Sequence, residues 1–185
     1  MNAAELISAL EPLVPGAAFE ALSPPDDSIN PTLLVPVEHL LATCRALHDT
    51  PGLGFVAFSD VTAVDFHPRR TPRFDVVYHF VSPDRRDRVR IKTRVHTNDP
   101  VPTISTIWAG AGWFEREVFD LFGIVFTGHQ DLRRLMMPDD WEGHPLRKDY
   151  PVQVRKDAQT FMPLQVTEEE FRANLERDRQ IRPKA

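Results

Sequence analysis

Between residues 73 and 96 the chain alternates. In RFDVVYHFV, Phe74, Val76, Tyr78 and Phe80 face one way and Asp75, Val77 and His79 the other; in RVRIKTRVH, Val89, Ile91, Thr93 and Val95 alternate with Arg88, Arg90, Lys92, Arg94 and His96. A period of two belongs to a strand with one buried face. The intervening SPDRRD is a turn by composition, so the two runs are expected to pair as an antiparallel hairpin. Residues 54–58 and 61–66 are two further β-rich runs separated by Ser59 and Asp60, and FEALS and TLLVP read as short strands.

Elsewhere the period is helical. Leu6, Ile7, Leu10 and Leu13 share a face within residues 3–13, which Pro12, Pro15 and Gly16 terminate; Leu40, Leu41, Cys44 and Leu47 do so within 37–48, closed by DTPGLG. In WFEREVFDLFG the stripe is Phe114, Val118, Leu121 and Phe122, and Gly123 is placed to end the helix in the left-handed conformation. Thr167 and Glu170 form a Thr-x-x-Glu capping box before a charged helix over 168–178, whose apolar contacts are Phe171 and Leu175. The fold class this predicts is α+β: an antiparallel meander packed by helices.

One stretch fits neither period. From Ile124 to about Gln165, punctuated by Pro138, Pro145, Pro151 and Pro163, no repeat is sustained, and a run that long is uncommon inside a compact domain. Its composition is not that of a disordered tail, because it holds Phe126, Leu132, Leu135, Met136, Met137, Trp141, Leu146, Tyr150 and Phe161. Large apolar side chains with no regular element to bury them call for a partner surface, and Trp, Tyr and Arg are the usual anchors. The expected division is therefore a globular domain over 1–123 and an extended partner-binding arm with a C-terminal helix over 124–185.

Composition narrows the function. The chain has 185 residues, 42% of them hydrophobic, enough for one core. A net charge of −5 argues against nucleic acid as the partner. No stretch approaches the roughly 20 apolar residues of a membrane helix. MNAAELISALEPLVPG lacks the basic leader of a secretory or transit peptide, which points to the bacterial cytoplasm. A single cysteine, Cys44, cannot supply a four-thiolate cluster, and its place on a helical stripe reads as core.

Three chemical readings compete along the polar positions. Glu117 and Asp120 share a helix face and could work as an acid/base pair, but Arg116 stands four residues before Asp120 and no nucleophile with a base accompanies them. His129 and His144, with Asp131 and Glu142, lack the dense spacing of a metal site. The basic row of Arg88, Arg90, Lys92, Arg94 and His96 is either an anion or acidic-partner site or the solvated side of the sheet. Without interleaved aromatics it does not suit nucleic acid.

The run WFEREVFDLFGIVFTGHQDLRRLMMPDDWEGHPLRKDYP resembles the signature of the thirty-kilodalton subunit family of bacterial NADH:quinone oxidoreductase, respiratory complex I. EREVFDLFGI and GHPLRKDYP carry the similarity, which extends through FSDVTAVDF and the hairpin and fades in the first 30 and last 20 residues; Gln130 stands where the family usually has proline. The resemblance implies a non-catalytic subunit of the peripheral arm of a proton-pumping complex. Iron–sulfur clusters, FMN and quinone then lie in partner subunits, and this chain itself has no catalytic, cofactor or metal residue. It implies docking on the quinone-site subunit and the terminal iron–sulfur subunit, at the cytoplasmic side of the cell membrane, with membrane contact only through the complex. By the same resemblance Glu115, Arg116, Glu117 and Asp120 order the helix and its contacts. His129, Asp131, Arg133, Arg134, His144, Arg147, Lys148 and Asp149 pin the arm, and Trp141 and Tyr150 join them as aromatic anchors. An equivalent subunit of a membrane-bound hydrogenase or another quinone-reducing dehydrogenase has the same features, since the partners decide the electron donor.

Overall fold

A computed structural model describes residues 1–22, 30–151 and 167–181. Its elements run α1 (Ala3–Leu10), β1 (Glu20–Leu22), β2 (Thr32–Leu34), α2 (Leu40–Asp49), β3 (Ala57–Asp65), β4 (Phe74–Ser82), β5 (Asp87–Val95), β6 (Val101–Pro102), α3 (Ala111–Phe122), β7 (Phe126–Thr127) and α4 (Glu168–Ile181). The chain forms two compact units, Met1–Tyr150 and Pro151–Ala185.

In the first unit the strands form a five-stranded sheet in the order β1-β2-β5-β4-β3. The expected hairpin is present in the expected register, with Tyr78 opposite Ile91 and Phe80 opposite Val89. Two features were not foreseen. β2 enters parallel to β5 rather than extending the meander, with Leu33 beside Ile91. The two runs around Ser59 are one strand, β3, whose register slips between Phe58 and Asp60. That extra residue lets Phe58 face the core while Asp60 faces out, which is how a bulge re-aims side chains without ending a strand.

The apolar face of the sheet and the stripes of α1, α2 and α3 make one core. Leu33, Val61, Phe74, Val76, Tyr78, Phe80, Val89 and Ile91 meet Leu6, Leu10, Leu40, Cys44, Leu47, Val118 and Phe122 there. Burying each of these leucines contributes about 2 kcal/mol. Cys44 is fully buried, as the stripe predicted, and that burial pushes its thiol far above the usual range, so it stays protonated. Trp108 stacks on Phe80 at 4.6 Å and donates its indole N–H to Val56 O at 3.0 Å, closing the core at the bulge.

Gly123 does not divide the molecule. Ile124 and Phe126 are 2% exposed within this same core, Leu132 packs against it, and β7 pairs with β6. The expected domain boundary at 123 is corrected accordingly: residues 124–150 belong to the first unit. The missing periodicity was real, because β7 is two residues long. What satisfies the segment is a set of side chains on α3 and β3 rather than a backbone ladder. The part of the expected arm over 152–166, Phe161 included, lies outside the described residues.

The second unit is described at α4, whose capping box forms as predicted: Thr167 N–H donates to Glu170 Oε2 at 2.9 Å and Glu170 N–H to Thr167 Oγ1 at 3.3 Å. Phe171 is 59% exposed on it.

Candidate docking surface

Helix α3 is the organising element, because both of its ends and one of its sides are occupied by residues 128–150. The last carbonyls of a helix have no partner within it. Here His144 Nδ1 donates to Asp120 O at 2.8 Å, Leu146 N–H to Leu121 O at 3.1 Å, and Arg147 Nε to Phe122 O at 2.5 Å. A guanidinium at a helix C-terminus also meets the negative end of the helix dipole. The close fit needs glycine at 123, which adopts φ 73°; a Cβ there would stand 2.5 Å from Arg147 Nη2 and collide with the His144 ring.

Asp120 is fully buried and gathers four donors. Leu135, Met136 and Met137 give it their backbone N–H groups at 3.0, 2.7 and 2.8 Å, and Arg134 its Nη1 at 2.7 Å. Desolvation pushes this carboxyl up, but the bonds outweigh it and hold the group below the usual carboxylate range. Three of these donors converge on Oδ2 and the guanidinium takes Oδ1, which suits a structural carboxylate held ionised rather than one that exchanges a proton. Glu117 is half-buried and has no ion pair or hydrogen bond from its side chain among the described residues. The acid/base pair is therefore not assembled. Nor does Arg116 reach Asp120: it donates to Arg133 O at 3.2 Å and Arg134 O at 3.0 Å, and lies 4.9 Å over the Trp113 ring. Arg134, far along the chain, takes the place expected of Arg116 and continues to Trp141 O at 2.8 Å and Gly143 O at 3.2 Å.

At the other end of α3, Glu115 is wholly buried and accepts from Ile104 N–H at 2.8 Å and from the Thr103 hydroxyl. Burial nevertheless raises its pKa, against the pull of those two bonds and of His129. His129 accepts the Asp131 N–H on Nδ1 at 3.1 Å and donates Nε2–H to Gly112 O at 3.0 Å, which fixes its tautomer and ties the loop to the start of the helix. His129 and His144 are thus spent at opposite ends of α3. Burial and the charges of Arg147 and Arg134 hold the His144 ring below its ordinary range, against the effect of its bond to Asp120 O.

The far end of the segment is clamped to the sheet. Asp65, with its side chain fully buried, accepts from Lys148 N–H at 2.8 Å, from Arg73 Nη2 at 2.6 Å and from His67 N–H at 2.9 Å. Arg73 also forks onto Asp149 at 2.6 and 2.9 Å. Desolvation opposes ionisation of Asp65, yet these bonds lower its pKa to about 2. Asp65 and Arg73 were missed in the sequence: both sit on or beside strands where polar residues read as the solvent face, and only the tertiary return of residues 148–149 gives them a role. Tyr150 lies along Gly143, where a Cβ would come within 2.8 Å of its ring, and stacks on Trp141 at 6.5 Å.

Beside these inward-turned groups several large apolar side chains are displayed. Trp113 is 60% exposed and Met136 63%, with Leu135 and Leu146 also exposed. A recess of about 520 Å³ adjoins Trp113, lined also by Arg116, His129 and Arg133. Arg133 and Asp131, expected to pin the arm, instead pair with each other through their side chains at 3.0 Å, both well exposed. Among those residues there is no group of three or more His, Cys, Asp or Glu arranged to hold a metal, and no helix is long and apolar enough to cross a membrane.

A family model described as the respiratory-chain NADH dehydrogenase 30 Kd subunit matches residues 33–156. The corresponding NADH-quinone oxidoreductase subunit of Sinorhizobium medicae is 46% identical over 146 residues, 75% of this chain and 72% of that protein. Its counterpart in Rhodopseudomonas palustris is 48% identical over 130 residues, 68% of this chain and 63% of the relative. Among solved structures, a trypsin-resistant fragment of Nqo5 superposes with TM-score 0.54 and 31% identity, covering 63% of this chain and 90% of the fragment. A chain of an archaeal membrane-bound sulfane sulfur reductase has the same fold, with TM-score 0.65 over 80% of this chain and 85% of its own at 24% identity. The chain belongs to the 30 kDa subunit family of respiratory-chain NADH dehydrogenase, the NADH-quinone oxidoreductase of bacteria.

Proposed function

We infer that this chain is a non-catalytic assembly subunit of NADH:quinone oxidoreductase, and that α3 with residues 128–150 is its docking surface. FMN, the iron–sulfur clusters and quinone belong to partner subunits in this reading. The quinone-site and terminal-cluster subunits are the neighbours, and the chain sits peripherally on the cytoplasmic side of the membrane. One observation carries it: Arg116, Asp120, Arg134 and Arg147 of the family signature are engaged inside the subunit and hold residues 133–147 against α3, while Trp113 on that helix and Met136 on the segment stand exposed. Exposed aromatic and methionine side chains on a rigid support are what interface anchors require. A loop already held by Asp120 gives up little conformational freedom on docking.

Replacing Trp113 and Met136 together by glutamate tests this. The double variant is expected to fold, with stability within about 0.5 kcal/mol of the parent, since both side chains are surface groups. It is expected to drop out of the complex isolated from membranes, with NADH:quinone activity falling in parallel. Normal assembly combined with lost turnover would instead put chemistry in this chain.

A further inference from the structure

The side of the sheet away from the helices presents its own pattern. On β5, Arg88, Arg90, Lys92 and Arg94 occupy every second position, roughly 6.8 Å apart along the strand. Four like charges thus stand in a row on a chain whose net charge is −5. Their neighbours do little to neutralise them. Arg94 Nε lies 3.7 Å from Asp75, a buried carboxylate already engaged by Arg70. Arg90 donates its Nε to His79 Nε2 at 3.0 Å, an acceptor without charge. Asp60 stands on the far side of that ring, 3.8 Å from Nδ1, and Glu20 is two strands away on the sheet edge. Arg88 and Lys92 meet no carboxylate within ion-pair distance among the described residues.

The floor between these cations is apolar: Val77, paired with Lys92, is 5% exposed beneath them, and Val81 is half-buried opposite Arg88. Burial, with Arg90 and Lys92 nearby, keeps His79 below its ordinary range, so the row does not gain a fifth charge near neutrality. No Phe, Tyr or Trp stands on the outward positions of β4 and β5 to stack a base, and the His79 ring is engaged by Arg90, which disfavours nucleic acid. A cationic rim over an apolar floor complements a polypeptide segment bearing alternate carboxylates.

We propose that the outer face of β5, centred on Arg88, Arg90 and Lys92, is a second docking surface and that it receives an acidic segment of a neighbouring polypeptide. The proposal rests on the assembly reading above and lies on the opposite side of the sheet from the surface given there. Lys92 makes it testable in the native complex. Zero-length carbodiimide coupling is expected to join the Lys92 amine to an aspartate or glutamate of another polypeptide. Acylation of Lys92 by acetic anhydride is expected to be about tenfold slower in the complex than in the free full-length chain, because a bound partner occludes it. Acylation at the free-chain rate overturns the proposal, as does coupling only to this chain's own carboxylates. Protection lost on phospholipid removal, with the subunits still together, also overturns it and assigns the face to lipid headgroups. A second arm needs no complex: a fluorescent octaglutamate peptide is titrated against the full chain. Arg88→Gln with Lys92→Gln is expected to weaken binding about tenfold, while Arg45→Gln with Arg172→Gln leaves it unchanged. Equal weakening by both pairs overturns the proposal. Failure of the chain to purify with any complex counts against the assembly reading, and the peptide arm still decides this one.

Discussion

Asp120 shows how much one side chain can organise. Asp120→Asn keeps the shape but removes the charge and replaces one accepting oxygen by an NH2 donor, which must then face either Arg134 or the N–H groups of residues 135–137. The expected loss is about 3 kcal/mol in urea unfolding of the full chain. Gly123→Ala acts on the same helix by another route, forcing a side chain into positive φ and against His144 and Arg147. A destabilisation of about 2 kcal/mol is expected, and a thermal melt within a degree of the parent would show that the cap does not need glycine. Neither effect follows from propensity alone. The carboxylate at 120 and the glycine at 123 were visible in the sequence, but the partners at 134–137 and 144–147 were not. Arg116 was the nearest cation along the chain, and chain proximity misassigned the ion pair.

At the scale of elements, periodicity located the strands and helices where burial is one-sided and failed where it is not. The hairpin over 74–95 and α2 were legible because each repeats its own period, and α4 because its capping box is written in the sequence. Residues 124–150 carry no period because side chains and turns, not a ladder, satisfy their backbone. Their apolar content read as a free arm, and the structure divides it: Ile124 and Phe126 turn inward, whereas Trp141 and Tyr150 pack on each other. The join to the sheet is electrostatic and so depends on pH. Because the Asp65 carboxyl falls from its ordinary 3.8 to about 2 on folding, the unfolded state binds more protons between those values. The resulting stabilisation, on the order of 2 kcal/mol, is complete above pH 4 and disappears as the pH drops toward 2. Glu115 has the opposite sign: its raised pKa means that ionisation costs stability as pH rises through the folded value. Acid titration of Asp65→Asn is expected to show a shallower loss between pH 4 and 2 than the parent. An unchanged profile would mean that Asp65 does not anchor residues 148–149.

At the scale of the whole molecule, the docking surface we infer rests on a division of side chains in the first unit: Asp120, Arg134 and Arg147 are engaged along α3, while Trp113 and Met136 stand exposed. Nothing in composition distinguished that from a wrapping arm, since both need the same residue types; the difference lies in which side chains turn inward. Hydroxyl-radical footprinting of Trp113 and Met136, read by mass spectrometry in the free full-length chain and in the complex isolated from membranes, tests this most directly. Both side chains are expected to oxidise readily in the free chain, where they are 60% and 63% exposed, and to be protected once the complex is assembled. Equal oxidation in the two samples would contradict the account.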